Sequence, residues 1–334
     1  MTLPSKVRQV VLAARPAGKV AASDFRLETV DAPALGEGEI MTRTLWLSVD
    51  PYMRLSLGEG GQALGSLMNG GTVSEVVASS NPAFKVGDIV EGRTGWRDYA
   101  VSNGQGMTRV DPSLGPITTA LGVLGMPGLT AHTGMVPVGK VKAEDTVVVS
   151  SAGGAVGSIA GQIGKAVGAR VVGIAGGAKK CAEVEALGFD ACVDYQAADF
   201  AAKLKAACPN GVDLYFDNVG AAVSQVVFQQ LNLEARVSVC GFIGWSDLSD
   251  AAPGPNQLPA LYKTIVMKRL RITGFTGANK AADAMQQLAG WVKDGKIAHP
   301  ERVYEGLDQA PQAFADMLGG RAGTGKVVIR VGPA

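Results

Sequence analysis

A glycine-rich turn is the clearest chemical signal in the sequence. It covers residues 151–157 and lies between an apolar run at residues 146–150 and an amphipathic segment. Its pattern is A-x-G-x-x-G on Ala152, Gly154 and Gly157, so alanine replaces the first glycine of the usual dinucleotide fingerprint. Glycine turns are common in α/β sheets, but between a strand and a helix such a turn brings backbone N–H groups close to a pyrophosphate. We therefore predict a dinucleotide site here.

The strand after this turn indicates which dinucleotide binds. About 20 residues beyond the glycines, NAD-binding sites usually place an acid on the ribose 2′-hydroxyl. Here the strand at residues 170–174 is followed by small residues and the pair Lys179-Lys180, with no carboxylate. Lysine pairs with a 2′-phosphate, which a carboxylate would repel, so the sequence favours NADPH over NADH. The alternative is that both lysines are solvated residues at the start of a helix.

The patterns on either side of the turn predict a two-domain α/β protein. Up to about residue 120, short strand-like runs such as 71–78 and 88–91 alternate with turn clusters, which is typical of antiparallel β structure. From about Leu121, apolar strands alternate with helical patterns, as in a parallel sheet. The predicted strands are 146–150, 170–174, 191–194, 214–217 and 236–240, and the predicted helices are 156–167, 178–187, 199–207, 221–231 and 281–294. A final helix at 309–318 and a strand at 326–331 are expected to return to the first domain.

Composition and charge exclude several classes of function. Of 334 residues, 47% are hydrophobic and 18% are charged, as in a compact soluble globule. The net charge of +1 comes without a basic block or an acidic tail, so we expect no nucleic-acid partner and no anionic membrane partner. The apolar run at residues 10–14 is too short for a signal peptide, and no run approaches the roughly 18 apolar residues of a membrane span.

The cysteines and histidines provide few metal ligands. The four cysteines include no C-x-x-C pair, and the histidines are His132 and His299. Such cysteines are typical of reduced, mostly buried thiols in a cytoplasmic protein. We therefore expect a cytoplasmic location and no structural or catalytic zinc ion.

Seven motifs, in order along the chain, carry a resemblance to a known family. They are SVDPYMR at 48–54, GWRDYAV at 95–101, MPGLTA at 126–131, LGFD at 187–190, FDNVG at 216–220, KRL at 268–270 and GKVV at 325–328. With them the sequence resembles the medium-chain dehydrogenase/reductase superfamily over nearly its whole length. Within it, the sequence is similar to the zinc-free branch of prostaglandin reductases, plant alkenal double-bond reductases and bacterial curcumin reductases. The run DPYMR is specific to that branch, and zinc dehydrogenases carry Cys and His in this region.

The resemblance implies a fold and a reaction. It implies an α/β architecture with a Rossmann doubly wound parallel sheet over residues 121–299, which binds NADPH. A β-rich GroES-like domain, residues 1–120 and 300–334, would hold the substrate and the catalytic residue. The active site would lie in the cleft between the domains, and the Rossmann domain would mediate a homodimer. The implied reaction is NADPH-dependent reduction of the C=C bond of α,β-unsaturated aldehydes and ketones by hydride transfer to the β-carbon.

The resemblance also implies roles for individual residues. The pyrophosphate would contact Gly154, Ala155 and Val156, and the 2′-phosphate would contact Lys180 and Tyr195. The adenine-side ribose or the pyrophosphate would lie beside Asn218 and Val219. The nicotinamide pocket would be lined by Cys240, Gly241, Phe242, Phe275 and Thr130. Tyr52 would face the substrate.

The sequence departs from the family pattern at four places. Relatives carry a serine near the 2′-phosphate where this chain has Gly177, and an aromatic residue where it has His132. The second active-site tyrosine of the family has no counterpart in residues 244–247, which read Gly-Trp-Ser-Asp. An asparagine close to the terminal Gly-Lys pair is replaced by Gly323.

The implied mechanism leaves alternatives open for several residues. Tyr52 is the candidate hydroxyl that stabilises the enolate, and its alternative is a packed tyrosine in a turn. His132 is either a general acid or a partly buried structural histidine, and Trp245 is either a pocket wall or a loop aromatic. For the whole chain, the alternatives are an NADPH:quinone reductase of the same fold and a non-catalytic NADPH-binding redox sensor.

Overall fold

A computed structural model gives the fold of residues 3–245, 256–276 and 282–332. The chain divides into two units. The first unit comprises Met1–Leu121, Glu301–Ala322 and Val327–Ala334. The second unit comprises Gly122–Pro300 together with the short segment Gly323–Lys326. The assignment of substrate and cofactor roles to separate domains stays a prediction.

The N-terminal part of the first unit consists of antiparallel strands. They are β1 (Lys6–Leu12), β2 (Phe25–Asp31), β3 (Ile40–Ser48), β4 (Thr72–Ser79), β5 (Ile89–Gly92), β6 (Tyr99–Ser102) and β7 (Thr108–Arg109). β3 pairs with both β4 and β6, and its residues are buried apart from Arg43, which is half-buried. A 3₁₀-helix, Pro51–Leu57, follows β3 and begins at a proline, whose missing N–H costs nothing at a helix start. Met53 and Leu57 anchor this helix in the core, which fixes the position of Tyr52 directly before Met53.

The second unit alternates helices with parallel strands. Its strands are β8 (Thr146–Ser150), β9 (Arg170–Ala175), β10 (Ala191–Asp194), β11 (Val212–Asp217), β12 (Leu231–Val239) and β13 (Arg271–Gly274). Its helices are α1 (Met126–Thr133), α2 (Ala155–Val167), α3 (Ala178–Glu185), α4 (Phe200–Ala207), α5 (Ala221–Gln230), α6 (Leu258–Lys268) and α7 (Ala282–Lys293). All sheet pairings are parallel, in the order β10-β9-β8-β11-β12-β13. This is the doubly wound Rossmann order, so the predicted fold class of a Rossmann sheet beside a strand-rich domain is confirmed.

Burial explains why the central strands and α2 form where they do. Every residue of β8 is buried, as expected for a central strand with helices on both faces. The buried face of α2 includes Ile159 and Ile163, which belong to the same apolar core. α2 ends at Gly168, whose φ of 102° is the left-handed conformation that closes many helices.

The C-terminal segment adds β14 (Glu301–Glu305), α8 (Ala310–Leu318) and β15 (Lys326–Arg330). The first unit then contains a seven-stranded sheet in the order β14-β15-β3-β4-β5-β7, with β6 as the seventh strand paired to β3, so the expected return of the chain is present. Its core includes an aromatic cluster of Phe25, Trp96 and Phe314, with ring centroids 5.6 to 6.1 Å apart. Among the described residues, no helix is long and apolar enough to cross a membrane.

Several elements differ from the sequence prediction. The pattern did not predict α6 or β13, because α6 has no buried residue and all four residues of β13 are exposed. The predicted helix at 221–231 ends one residue earlier, and the strand expected from residue 236 begins at Leu231. The pairing of β11 with β12 shifts register after Val212, and Glu234 adopts a φ of 61°, so an irregularity hid the start of this strand. The predicted helix start at Ala281 lies outside the described residues.

Candidate functional site

Most of the predicted cofactor residues lie at the carboxyl ends of the parallel strands, which form one edge of the sheet. Each of them follows a different strand. In the order of the sheet, Tyr195 follows β10, Lys180 follows β9, Gly154–Val156 follow β8, Asn218 and Val219 follow β11, Cys240–Phe242 follow β12, and Phe275 follows β13. Because the strands are parallel, these residues all come after carboxyl ends, and their order across the sheet spans five strand spacings, roughly 24 Å. The order of strands reverses between β8 and β11, which is where doubly wound sheets bind ligands.

Three helices begin at this edge with glycine and without a capping side chain. α2, α3 and α5 have Gly154, Gly177 and Gly220 as their N-terminal caps, and glycine has no side chain to accept from the first turn. The cap N–H groups of Gly177 and Gly220 donate to Asp194 and Asp217. Gly177 and Gly220 have φ values of 84° and 66°, which disfavour other residues. The serine of relatives is therefore replaced by a glycine whose backbone is left-handed. Uncapped N-termini carry N–H groups and partial positive charge that suit an anion.

The turn between β8 and α2 is packed too tightly for larger side chains. A Cβ on Gly157 would lie 2.3 Å from the carbonyl oxygen of Ser151. A Cβ on Gly153 would lie 3.0 Å from the side-chain carbons of Lys180 and 3.1 Å from Oγ1 of Thr324. The N–H of Gly325 donates to the carbonyl of Gly153 over 2.8 Å. The segment Gly323–Lys326 is thus part of this turn, although the sequence prediction missed it, and no local pattern signals a contact so distant along the chain.

The end of β9 carries a cation and no acid. Lys180 is half-buried, and burial lowers the pKa of its amine, although Glu183 opposes that shift. Lys179 is exposed. The ring of Tyr195 lies 3.0 Å from where a Cβ on Gly176 would be, so it borders the same turn. The structure therefore brings Lys180 and Tyr195 to neighbouring strand ends.

A buried carboxylate organises the turn after β11. Asp217 is 4% exposed, and its Oδ1 accepts hydrogen bonds from Ser150 Oγ, Tyr215 OH and the N–H groups of Val219 and Gly220. Its Oδ2 accepts a further bond from Ser224 over 2.6 Å. Burial, followed by the charge of Asp217, raises the pKa of Tyr215 well above its usual value, so this phenol stays a donor.

The same network fixes Asn218 against β8. Its N–H donates to Ser150 Oγ over 2.9 Å, and its side-chain amide donates to the carbonyl of Ser150 over 2.7 Å. The sequence prediction named Asn218 and Val219 and missed Asp217 and Ser150. An acid at the end of an apolar strand was the available signal for Asp217.

The residues after β12 and β13 form one end of the series of predicted cofactor residues along the carboxyl ends of the strands. The N–H groups of Cys240 and Gly241 donate to the carbonyl of Asp217 over 2.8 and 3.1 Å. Burial, and secondarily the charge of Asp217, raises the pKa of the Cys240 thiol to about 12, so it remains a neutral thiol rather than a nucleophile. Phe275 packs edge-on against Phe216 with centroids 6.1 Å apart.

Several remaining candidates occupy defined positions. Phe242 is exposed, and Thr130 is a buried residue of α1 whose hydroxyl contacts the sulfur of Met126. Trp245 packs on the turn after β11, since a Cβ on Gly220 would lie 2.5 Å from its ring. Whether Trp245 is a pocket wall or a loop aromatic stays a prediction. Ser246 and Asp247 lie outside the described residues.

His132 has partners that suit a structural role. It is buried on α1, and its Nε2 lies 2.7 Å from Oε1 of Gln287 on α7. Its ring also packs beside Trp291, with centroids 6.2 Å apart. These contacts favour the structural interpretation over a general acid. Within the described residues, no group of three or more His, Cys, Asp or Glu side chains could hold a metal ion.

Tyr52 lies on the 3₁₀-helix of the first unit. Burial and then the charge of Asp50 raise its pKa to about 12; Arg93 opposes this shift and Glu91 adds to it. Asp50 is itself buried and accepts a hydrogen bond from Ser48 Oγ. The guanidinium of Arg93 stacks over the Tyr52 ring, 5.1 Å from its centroid. The phenol is therefore neutral at physiological pH and able to donate a hydrogen bond.

Two known protein families match the chain. The family described as the N-terminal domain of oxidoreductase matches residues 8–110. The family described as zinc-binding dehydrogenase matches residues 155–294. Together they cover most of the chain, and the second includes the glycine turn from Ala155 onward.

Individual relatives are similar over almost their full length. The NADPH-dependent curcumin reductase of Escherichia coli K12 is 43% identical, covering 97% of this chain and 96% of that protein. Bovine prostaglandin reductase 1 is 40% identical, covering 92% of this chain and 94% of that protein. The crystal structure of CurA from Vibrio vulnificus in complex with NADPH is 40% identical, with a TM-score of 0.92 over 98% of this chain and all of that one.

Proposed function

Because the chain belongs to the medium-chain dehydrogenase/reductase family, in the branch of the curcumin and prostaglandin reductases, we propose that it is an NADPH-dependent enone and alkenal reductase. It reduces the C=C bond of α,β-unsaturated aldehydes and ketones. The observation that carries this proposal is the 43% identity to an NADPH-dependent curcumin reductase over 97% of the chain. The row of predicted cofactor residues along one sheet edge supports it from the geometry.

The residues at the sheet edge fit NADPH. The N–H of Gly154 donates to the carbonyl of Ser151, so the start of α2 would offer the N–H groups of Ala155 and Val156 to a pyrophosphate, and Gly154 would leave room for a close backbone approach. Lys180 supplies the positive charge that a 2′-phosphate requires, and Tyr195 lies at the neighbouring strand end. When bound, NADPH supplies the hydride that the β-carbon of the substrate accepts.

Other residues would hold the ribose or the pyrophosphate of the cofactor and its nicotinamide. Asn218 and Val219, fixed by the Asp217 network, would contact the ribose or the pyrophosphate. The nicotinamide would lie among neutral walls, which exclude water without offering a competing nucleophile. The proposed wall residues are Thr130, Cys240, Gly241, Phe242 and Phe275.

Tyr52 is the proposed catalytic residue. As hydride adds to the β-carbon, negative charge grows on the carbonyl oxygen, and a hydrogen-bond donor placed there lowers the barrier. The phenol of Tyr52 keeps its proton because burial and Asp50 raise its pKa to about 12. Tyr52 therefore donates without ionising, and water delivers the proton to the α-carbon.

An acceptor panel tests the reaction. The purified protein is mixed with NADPH and matched enones, alkenals and quinones, and the decrease in NADPH absorbance is followed. We expect enones and alkenals to be turned over with higher kcat/KM than quinones of similar size. A preference for quinones would indicate the quinone reductase alternative, and no oxidation of NADPH with any acceptor would indicate the non-catalytic sensor.

The exposed edge strand of the parallel sheet, β13, supports a homodimer. β13 is the last strand of the sheet, and all of its residues are exposed, including the apolar Ile272. α6, which packs beside β12, exposes Tyr262, Val266 and Met267 by 66 to 70%. Within the described residues β13 pairs with β12 alone, and such an edge strand next to an exposed apolar helix suits pairing with the same surface of a second copy.

Light scattering tests the dimer. We expect a dimer for the wild type and a monomer for Ile272→Lys, whereas Leu64→Lys, a change at an exposed leucine of the first unit, serves as the control. A monomeric wild type would contradict the proposal.

We also propose a cytoplasmic location, supported by four free cysteines. Fractionation of cells that express the protein tests this location.

A further inference from the structure

A rigid turn presents Arg93 to Tyr52. Arg93 follows β5, and the next residue, Thr94, is buried with its hydroxyl 2.8 Å from that of Thr72. The carbonyl of Thr94 accepts a hydrogen bond from Nε of Arg97 over 2.7 Å. Gly95 has a φ of 80°, and a Cβ there would lie 2.7 Å from the carbonyl of Met68. The backbone after Arg93 is therefore held in place, and its exposed side chain reaches the Tyr52 ring, with Cζ 5.1 Å from the centroid.

The charges around Tyr52 are otherwise unfavourable for an enolate. Asp50 is buried, and Glu91 lies two residues before Arg93 on β5. Both carboxylates raise the pKa of Tyr52, as burial does, whereas Arg93 lowers it. Negative charge that develops on the carbonyl oxygen held by the phenol would be repelled by both acids. Among the described residues, Arg93 forms no salt bridge with a carboxylate, so its charge is directed at the ring instead.

We propose that Arg93 is a positioning residue for Tyr52: its stacked guanidinium fixes the phenol ring and offsets the charge of Asp50 and Glu91 as the enolate forms. This inference rests on the proposed enone reduction with Tyr52 as the donor. Arg93 acts through Tyr52 and through its charge, and it need not touch the substrate. A planar guanidinium suits this role because it can stack on an aromatic ring and stay charged.

A double-mutant cycle tests the coupling of the two residues. The variants are Arg93→Gln, Tyr52→Phe and the double variant, assayed with a neutral enone and NADPH. We expect Arg93→Gln to lower kcat about tenfold, which corresponds to about 1.4 kcal/mol, with NADPH Kd changed less than twofold. In the Tyr52→Phe background the same change should lower kcat less than twofold, because the group it assists is gone.

Two further variants separate this role from general packing. Arg93→Lys keeps the charge and loses the planar stack, so we expect it to recover part of the kcat lost in Arg93→Gln. Arg109→Gln is the matched control, since Arg109 also stacks on an aromatic ring of the first unit, 5.2 Å from the centroid of Phe84. We expect wild-type kcat for this control.

The outcomes distinguish this inference from the proposed function. Enone turnover by the wild type with equal effects of Arg93→Gln in both backgrounds overturns the role of Arg93 and leaves the reaction intact. A Tyr52→Phe variant with wild-type kcat overturns the role of Tyr52 and that of Arg93 together. An absence of enone turnover by the wild type overturns the proposed function, and this inference with it.

Discussion

Substitution of Gly157 tests whether the turn before α2 is built for a cofactor. In Gly157→Ala the new Cβ would lie 2.3 Å from the carbonyl oxygen of Ser151, whereas ordinary contacts begin at 3.4 Å, so the helix start and the turn must separate by about 1.1 Å. Overpacking of this kind costs about 1–3 kcal/mol, and the better helix propensity of alanine returns up to about 1 kcal/mol. We expect a free energy of unfolding lowered by about 0–3 kcal/mol. The larger effect should be on NADPH, since a shift of this size displaces the N–H groups of the first turn, and we expect Kd to rise at least about tenfold.

The assay compares Gly157→Ala with a harmless glycine substitution. Gly290 lies exposed in α7, and a Cβ there meets no atom within 4 Å, so Gly290→Ala should stabilise the protein by about 0.5–1 kcal/mol. NADPH fluorescence titration gives Kd, and urea unfolding without cofactor gives stability. The reasoning is refuted if Gly157→Ala binds NADPH as tightly as the wild type and Gly290→Ala do. Equal losses of affinity in both variants would also refute it.

Three further predictions concern cofactor choice, catalysis and metals. The wild type should bind NADPH at least about tenfold more tightly than NADH, a difference of about 1.4 kcal/mol. In titrations, Lys180→Ala should weaken the binding of NADPH but not that of NADH, whereas the exposed-site control Lys179→Ala should change the affinity for neither cofactor. Tyr52→Phe should lower kcat on the order of 100-fold without changing NADPH Kd, and retention of more than about half of wild-type kcat/KM would contradict the catalytic assignment. Exhaustive chelation should leave enone reduction at its full rate, and stoichiometric zinc whose removal abolishes activity would contradict this expectation.

The central strands were predictable because burial on both faces leaves a short, continuous apolar run. The run at residues 146–150 became β8, all of it buried, and the run at 170–174 became most of β9, which is buried apart from Arg170. β13 could not be found in this way, because its four residues are exposed and include two polar ones. A strand whose stability comes from backbone pairing to β12, rather than from its own buried face, has no hydrophobic period to detect.

The candidate site was predictable only where its residues are neighbours in the sequence. The glycine turn and Lys180 follow their strands directly, so a local pattern revealed them. The contact between Ser150 and Asp217 joins residues 67 positions apart, and the contact of Gly325 with Gly153 joins more distant ones. The first contact follows from the crossover topology of the sheet, in which the ends of β8 and β11 meet. The second depends on where the segment Gly323–Lys326 returns, and no local pattern reveals either arrangement.

The carboxylate of Asp194, at the end of β10, explains why Lys180 should dominate the choice of cofactor. Asp194 Oδ1 accepts hydrogen bonds from the N–H groups of Gly177 and Gln196, each 2.9 Å long, and these bonds lower its pKa. Asp194 is therefore ionised at neutral pH, and it engages the N–H of the residue that caps α3. A 2′-phosphate at this helix would meet a carboxylate and would lose that backbone donor, so it needs a compensating cation. Lys180, one turn into α3 with its stem packed against Gly153, is placed to supply it, which is why its removal should affect NADPH and spare NADH.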